Sequence, residues 1–334
     1  GEEKVVEVRT NTHPQFQKLL DVYDELDKNS IKDIEKDGEN KVVTLNKNNF
    51  EKGDKELQDA DILIGWGDTN DFTARRISMS KKLKWVHVLA AGVDKLPFKE
   101  LKEKNIKVTN SSGIHATPIS EHVFATLLFL EKKLDVLYKQ QLNKCWRQQP
   151  IEELKDKTMA IIGVGQIGRE IARKAKAFDM RVLGIKNTPT PVEYVDEMYS
   201  MDNLKEVLCK SHVVVIALPL TEETNGLFTL ETFKSMRRDA YFINIGRGKI
   251  VHEESLIKSL QQGIIKGASL DVFQEEPLDK DSPLWHMDNV IITPHQSGNS
   301  PHYMERAVNI FMENLEKIKN GEELINLVDL NKKY

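Results

Sequence analysis

Residues Gly163-Val164-Gly165-Gln166-Ile167-Gly168 place three glycines at the spacing G-x-G-x-x-G, directly after the apolar run Met159-Ala160-Ile161-Ile162 and directly before Arg169-Glu170-Ile171-Ala172, a segment of helical character. Spaced glycines alone say little. Strand, tight turn and helix in that order constrain the chain far more, because the turn must bend sharply and the helix must pack close against the strand. Backbone N–H groups and the positive end of such a helix converge on one point, an arrangement that receives a pyrophosphate. A dinucleotide-binding unit is therefore predicted, with Gly163, Gly165, Gln166, Ile167 and Gly168 as cofactor-contacting residues. The fingerprint begins almost halfway along the chain, so another folded region must precede it.

A length of 334 residues predicts two domains of ordinary size. Acidic and basic residues are interspersed and the formal net charge is −4, which offers nucleic acid no basic face. The expected partner is a small molecule. Cys145 and Cys209 are far apart and lack disulfide-framework or zinc-ligand spacing, so no metal is expected and a reducing cytoplasm is the predicted location. No basic-then-apolar leader is visible, and the longest apolar run, residues 213–218, is too short to span a bilayer. Membrane association is not expected.

Short apolar runs at residues 5–8, 42–45, 61–64, 85–89 and 106–108 alternate with helical patterns such as residues 16–26, which predicts a parallel sheet wrapped by helices. Thr117-Pro118 reads as the cap and first position of one long helix through Val123, Leu127, Leu130, Leu134 and Leu137, expected to bridge the two domains. From Met159 to about His295 the strand pattern repeats at residues 181–186, 213–218, 241–245, 268–272 and 290–293. Ser300-Pro301 then starts a helix through Phe311, Leu315 and Ile318 that ends near Gly321 and is predicted to return to the first domain. The expected fold is α/β: a Rossmann doubly wound nucleotide domain, residues 116–298, inserted in a smaller flavodoxin-like α/β substrate domain made of residues 1–115 and 299–334.

Three segments beyond the fingerprint carry chemistry: residues 244–248 with Arg247, residues 270–278 with Asp271 and Glu276, and residues 292–298 with His295. Each falls at the carboxyl end of a predicted strand, the edge where open parallel sheets bind ligands. An anion clamp, a carboxylate and a titratable acid can converge there although they are distant in sequence.

Together with Ala90-Ala91-Gly92-Val93-Asp94, Ser112-Gly113-Ile114, Ile119-Ser120-Glu121-His122 and Ala217-Leu218-Pro219-Leu220-Thr221, these motifs resemble, over nearly the whole chain, the D-isomer-specific 2-hydroxyacid dehydrogenase family. That group contains glyoxylate/hydroxypyruvate reductases, D-lactate dehydrogenases and phosphoglycerate dehydrogenase. The resemblance implies that Arg247 holds a substrate carboxylate, His295 is the general acid/base and Glu276 orients it. It also implies that Asp271 contacts the nicotinamide carboxamide, that Leu218, Pro219 and Thr224 contact cofactor, and that backbone N–H groups of the loop Ala91, Gly92 and Val93 meet the substrate carboxylate. Residue chemistry agrees: a planar guanidinium binds a carboxylate bidentately, and an imidazole titrates near neutrality. The resemblance also implies Glu276 rather than Glu275, because Glu276 directly precedes Pro277, as the family's catalytic carboxylate does. Trp66 and Trp146 are expected to pack rather than to line the substrate pocket.

The implied activity is reduction of a small 2-oxo acid, such as glyoxylate or hydroxypyruvate, to the D-2-hydroxy acid by NAD(P)H in a homodimer. A nucleotide-sensing, corepressor-like interaction protein on the same fold is the alternative. NAD sites usually carry an acid at the end of the second strand to grip the ribose hydroxyl. Here Lys186, Asn187 and Thr188 occupy that place, a set that suits a 2′-phosphate, so NADP(H) is expected to be preferred, with NAD(H) accepted.

Overall fold

The computed structural model describes residues 4–9, 40–45, 58, 60–66, 72–93 and 95–331. The chain divides into two compact units, Gly1–Ile114 with Ser300–Tyr334, and His115–Asn299. The helix expected at residues 16–26 lies outside the described residues.

In the first unit, strands β1 (Lys4–Arg9), β2 (Asn40–Leu45), β3 (Ile62–Gly65), β4 (Trp85–Val88) and β5 (Lys107–Asn110) form a parallel sheet in the order β2-β1-β3-β4-β5. That is the flavodoxin-like strand order. Every residue of β3 and β4 is buried, which explains why they read as continuous apolar runs rather than as alternating ones. On one face Leu63, Val86, Val88 and Val108 pack with Ile77 and Leu101; on the other, Ile62, Ile64 and Trp85 meet Val308, Phe311 and Leu315. Those last three belong to the helix Tyr303–Asn320, which ends at Gly321 in the left-handed region at φ +71°. It begins at Tyr303 rather than at Ser300-Pro301, because the Ser300 hydroxyl accepts from the His302 N–H and holds residues 301–302 in a turn.

Beneath the loop after β4 runs a buried chain of hydrogen bonds. The Trp85 indole N–H donates to the Thr109 hydroxyl oxygen at 2.9 Å, and that hydroxyl lies 2.8 Å from His87 Nδ1. His87 Nε2 is 3.3 Å from the Ser111 hydroxyl, which itself donates to the Val88 carbonyl at 3.1 Å. Since Ser111 spends its proton on Val88, His87 must donate from Nε2 and accept at Nδ1. Burial lowers the His87 imidazole to about 3, against the opposing pull of a hydrogen bond with the Ala307 backbone, so it is neutral.

The second unit contains β6 (Thr158–Ile162), β7 (Arg181–Ile185), β8 (Glu197–Tyr199), β9 (Val213–Ile216), β10 (Tyr241–Asn244), β11 (Gly267–Leu270) and β12 (Val290–Ile292). They form one sheet in the order β12-β11-β10-β9-β6-β7-β8, every neighbouring pair parallel. The chain winds one way from β6 to β8 and the other way from β9 to β12. This is the doubly wound arrangement, and its switch point lies between β6 and β9. Strand β8 has no counterpart in the sequence reading: three half-buried residues, one of them Glu, carry no clear period.

The long bridging helix is corrected. Two helices, Ala116–Glu131 and Leu134–Leu142, are separated by Lys133 in the left-handed region at φ +51°. The apolar spacing runs on through Leu134 and Leu137, but these are exposed by 44% and 36%, so the stripe leaves the core at the break. The cap is His115, with Thr117 and Pro118 inside the first turn, where a missing N–H costs no intrahelical bond. Ile119, Val123, Phe124, Leu127 and Leu130 pack with Met159, Ile161, Val213 and Val215, and the whole helix lies within the second unit.

Candidate active site

The glycine fingerprint closes the turn between β6 and the helix Gln166–Ala177. Gly163 sits at φ +102°, and a Cβ there would fall 2.6 Å from the Ala217 carbonyl oxygen, so only glycine fits beside the β9 loop. At Gly165, the cap of the helix, a Cβ would meet nothing within 4 Å. That open space lies before the helix's first N–H groups, and the residues present therefore fit a pyrophosphate. The neighbouring loop is closed by Thr224, whose hydroxyl donates to the Pro219 carbonyl at 2.8 Å and accepts from the Thr221 N–H at 2.7 Å. Leu218 and Pro219 thus stand on a fixed turn. Lys186, Asn187 and Thr188 follow β7 and are exposed, with Lys186 tied by its N–H to the Tyr199 carbonyl of β8.

Strands β10, β11 and β12 end side by side, Asn244 opposite Leu270 and Leu270 opposite Ile292. Their register delivers Arg247, Glu276 and His295 to one edge. Arg247 is exposed and gives one guanidinium N–H to the Gly246 carbonyl at 2.8 Å, a single donor of the five it carries. Gly248 abuts the loop after β11, where Phe273 gives its N–H to Glu276 Oε1 at 3.1 Å. The other oxygen, Oε2, is 2.7 Å from His295 Nδ1. The imidazole is 53% exposed and the carboxylate 35%, so this pair keeps a ring nitrogen within reach of a ligand.

His295 is held in the left-handed region at φ +49°, a backbone state uncommon outside glycine. Asp271 secures it. The Asp271 carbonyl accepts the His295 N–H at 2.9 Å, Oδ1 accepts the Gln296 N–H at 3.0 Å and Oδ2 the Ser297 N–H at 3.0 Å. Oδ1 also accepts the Thr293 hydroxyl proton at 2.6 Å. Burial works against ionisation of Asp271, but the hydrogen bonds from Ser297, Thr293 and Gln296 prevail and hold its carboxyl below the usual carboxylate range. Both Asp271 carboxylate oxygens thus meet the turn that carries His295. Thr293 and His122, whose Nε2 lies 3.3 Å from the Thr293 hydroxyl, were missed as members of this network. The Asp271-to-Thr293 spacing carried no signal for them.

In the first unit, the Ala91 carbonyl accepts from Asn110 Nδ2 at 2.7 Å, the Ser111 N–H donates to the Ala90 carbonyl at 3.1 Å, and Val93 accepts from the Leu96 N–H at 3.1 Å. Among the described residues, no group accepts from the N–H of Gly92 or Val93. Such N–H groups can receive an anion. Trp66 stacks on Tyr303 at 5.4 Å, and the Trp146 side chain is fully exposed. Trp66 therefore packs as expected, and Trp146 does not.

Comparison with known proteins points the same way. A family model described as D-isomer specific 2-hydroxyacid dehydrogenase, NAD binding domain, matches residues 124–297. The chain is 35% identical to a glyoxylate reductase of Pyrococcus furiosus over 72% of its own length and 74% of the relative's. It is 31% identical to a D-3-phosphoglycerate dehydrogenase of Methanocaldococcus jannaschii over 92% of its own length and 59% of the relative's. Among solved structures it is similar to an NADPH-dependent glyoxylate/hydroxypyruvate reductase of Sinorhizobium meliloti in complex with NADP and sulfate, at 25% identity and TM-score 0.74, covering 99% of this chain and 100% of that one.

Proposed function

Because the chain belongs to the D-isomer specific 2-hydroxyacid dehydrogenase family, and is thus an NAD(P)-dependent oxidoreductase, we propose that it reduces a small 2-oxo acid of the glyoxylate or hydroxypyruvate kind to the D-2-hydroxy acid. The observation that carries this reading is the Glu276 carboxylate 2.7 Å from His295 Nδ1, at the strand edge that also presents Arg247.

Arg247 grips the substrate carboxylate through its planar fork; in the first unit, the N–H groups of Ala91, Gly92 and Val93 form a turn that can receive an anion. Bound nicotinamide, when reduced, supplies the hydride for carbon 2. His295 gives a ring proton to the carbonyl oxygen as negative charge grows there. With Nδ1 committed to Glu276, Nε2 is the nitrogen left to make that transfer, and the carboxylate fixes the orientation of the ring. Run in reverse, the neutral imidazole takes the proton back.

Gly163, Gly165, Gln166, Ile167 and Gly168 hold the pyrophosphate, with the fixed turn of Leu218, Pro219 and Thr224 as a further cofactor contact. Lys186, Asn187 and Thr188 favour NADP(H) over NAD(H), because the second strand ends without a carboxylate. A cytoplasmic homodimer completes the reading. Leu134, Tyr138, Leu142, Trp146 and Ile151 expose a run of apolar surface suited to a second copy, and both cysteines are free. A light-scattering mass near that of one chain overturns the dimer.

The test is a panel of 2-oxo acids, glyoxylate through phenylpyruvate, with NADPH and NADH. Turnover that vanishes in His295→Ala and drops sharply in Arg247→Ala supports the assignment; NADPH binding without turnover on any panel member overturns it.

A further inference from the structure

Two histidines of one helix have no part in the reaction just described. His115 caps the helix Ala116–Glu131, and His122 follows seven positions later, two turns along the same side. Their partners bracket His295 in sequence. The Nδ1 of His115 is 3.2 Å from the Gly298 carbonyl oxygen, to which it must donate. The Nε2 of His122 is 3.3 Å from the Thr293 hydroxyl.

The direction of the second bond follows from its neighbours. Asp271 is ionised, and an ionised carboxylate only accepts, so the Thr293 hydroxyl spends its proton on Oδ1. What remains on the Thr293 oxygen is lone pairs. His122 must therefore donate from Nε2, in keeping with a neutral ring whose pKa burial lowers against the pull of Asp271.

We propose that His115 and His122 are positioning residues that clasp both shoulders of the turn carrying His295, His122 by locking the Thr293 hydroxyl onto Asp271 and His115 by holding the Gly298 carbonyl. A threonine hydroxyl is otherwise free to rotate. With its oxygen occupied by the His122 N–H, its proton has one destination, and the chain His122–Thr293–Asp271 strengthens link by link. The Asp271 carboxylate then grips the N–H groups of Gln296 and Ser297, its main-chain carbonyl takes that of His295, and together they sustain the left-handed backbone at His295. The clasp rests on the proposed role of His295 as proton donor, because its consequence is the placement of that ring.

Thr293→Val removes the hydroxyl at nearly constant volume, and His122→Phe removes the donor. Each is expected to lower kcat on the order of tenfold or more, since small misplacements of a reacting group are costly. The KM values for the 2-oxo acid and NADPH stay within about twofold, because neither anion clamp nor pyrophosphate turn is touched. Thr293→Ser, which restores the hydroxyl, recovers most of the rate. Wild-type kcat and pH profile in both folded variants would overturn the clasp and leave a packing role.

Ring 15N spectroscopy provides a second reading that needs neither turnover nor a stable Thr293→Val protein. The His122 resonance, identified by its loss in His122→Gln, reports Nε2–H in the wild type; protonation at Nδ1 alone would overturn the relay. A wild type inactive on every 2-oxo acid removes the functional reading, while the ring tautomer still decides the clasp.

Discussion

A Cβ placed on Gly248 would stand 1.9 Å from the Phe273 carbonyl carbon, so the backbone after Arg247 touches the backbone that leads to Glu276. The anion-binding arm and the carboxylate of the acid/base pair are thus set against each other by contact between main chains. Gly248→Ala cannot be absorbed by a side-chain movement. It is expected to cost at least about 2 kcal/mol of stability, as overpacking against backbone does, and to remove most turnover. Thermal unfolding and kcat/KM measured together check this; a stable, fully active variant refutes it.

Glu276→Gln keeps the shape but loses the charge beside His295 Nδ1. Since a positioned acid contributes about 10²–10⁴-fold, a kcat fall on the order of 100-fold is expected, with substrate KM little changed. A rise in KM at constant kcat would instead assign Glu276 to substrate binding.

Burial gives His87 a folded-state value of about 3, against an ordinary 6.5. Between these values the unfolded chain holds the extra proton, so the group's contribution to stability is complete above pH 6.5 and is lost as pH falls toward 3. Linkage puts the loss from this one group at about 2 kcal/mol between pH 7 and pH 5. His87→Gln should be less stable at pH 7 yet show a shallower decline on acidification. An unchanged slope in thermal melts across that range would remove His87 as the cause.

Lys186→Glu places a carboxylate where the 2′-phosphate is proposed to bind. The ratio of kcat/KM with NADPH to that with NADH is expected to fall on the order of tenfold or more, the scale of one charge-assisted hydrogen bond. A ratio unmoved by the substitution shows that Lys186 does not choose the cofactor.

Much of the fold was legible because both sheets are parallel and strands such as β3, β9 and β10 are buried along their whole length, which makes them largely apolar runs. The break at Lys133 was not, because Leu134 and Leu137 continue the helical spacing while facing out of the core, and spacing cannot tell exposed leucines from buried ones. Arg247, Glu276 and His295 were nameable from their motifs and from strand ends. His122 and Thr293 were not, since their link spans 171 positions and exists only once the helix from His115 lies against β12 and its turn. Thr224 was named, yet the bond by which its hydroxyl closes the 219–224 loop is one that a motif does not announce.

The first unit is sewn from segments that precede and follow the inserted unit, and the helix Tyr303–Asn320 supplies the cover for Trp85, Ile62 and Ile64. On a ribosome, which releases the amino end first, the inserted unit is complete while that face of the earlier sheet still lacks its lid. The nascent protein therefore carries an unsealed apolar surface until the helix Tyr303–Asn320 emerges, the kind of exposure that chaperones attend. A chain halted after Asn299 would keep that surface permanently and would be expected to aggregate, although every residue of the nucleotide unit had been made.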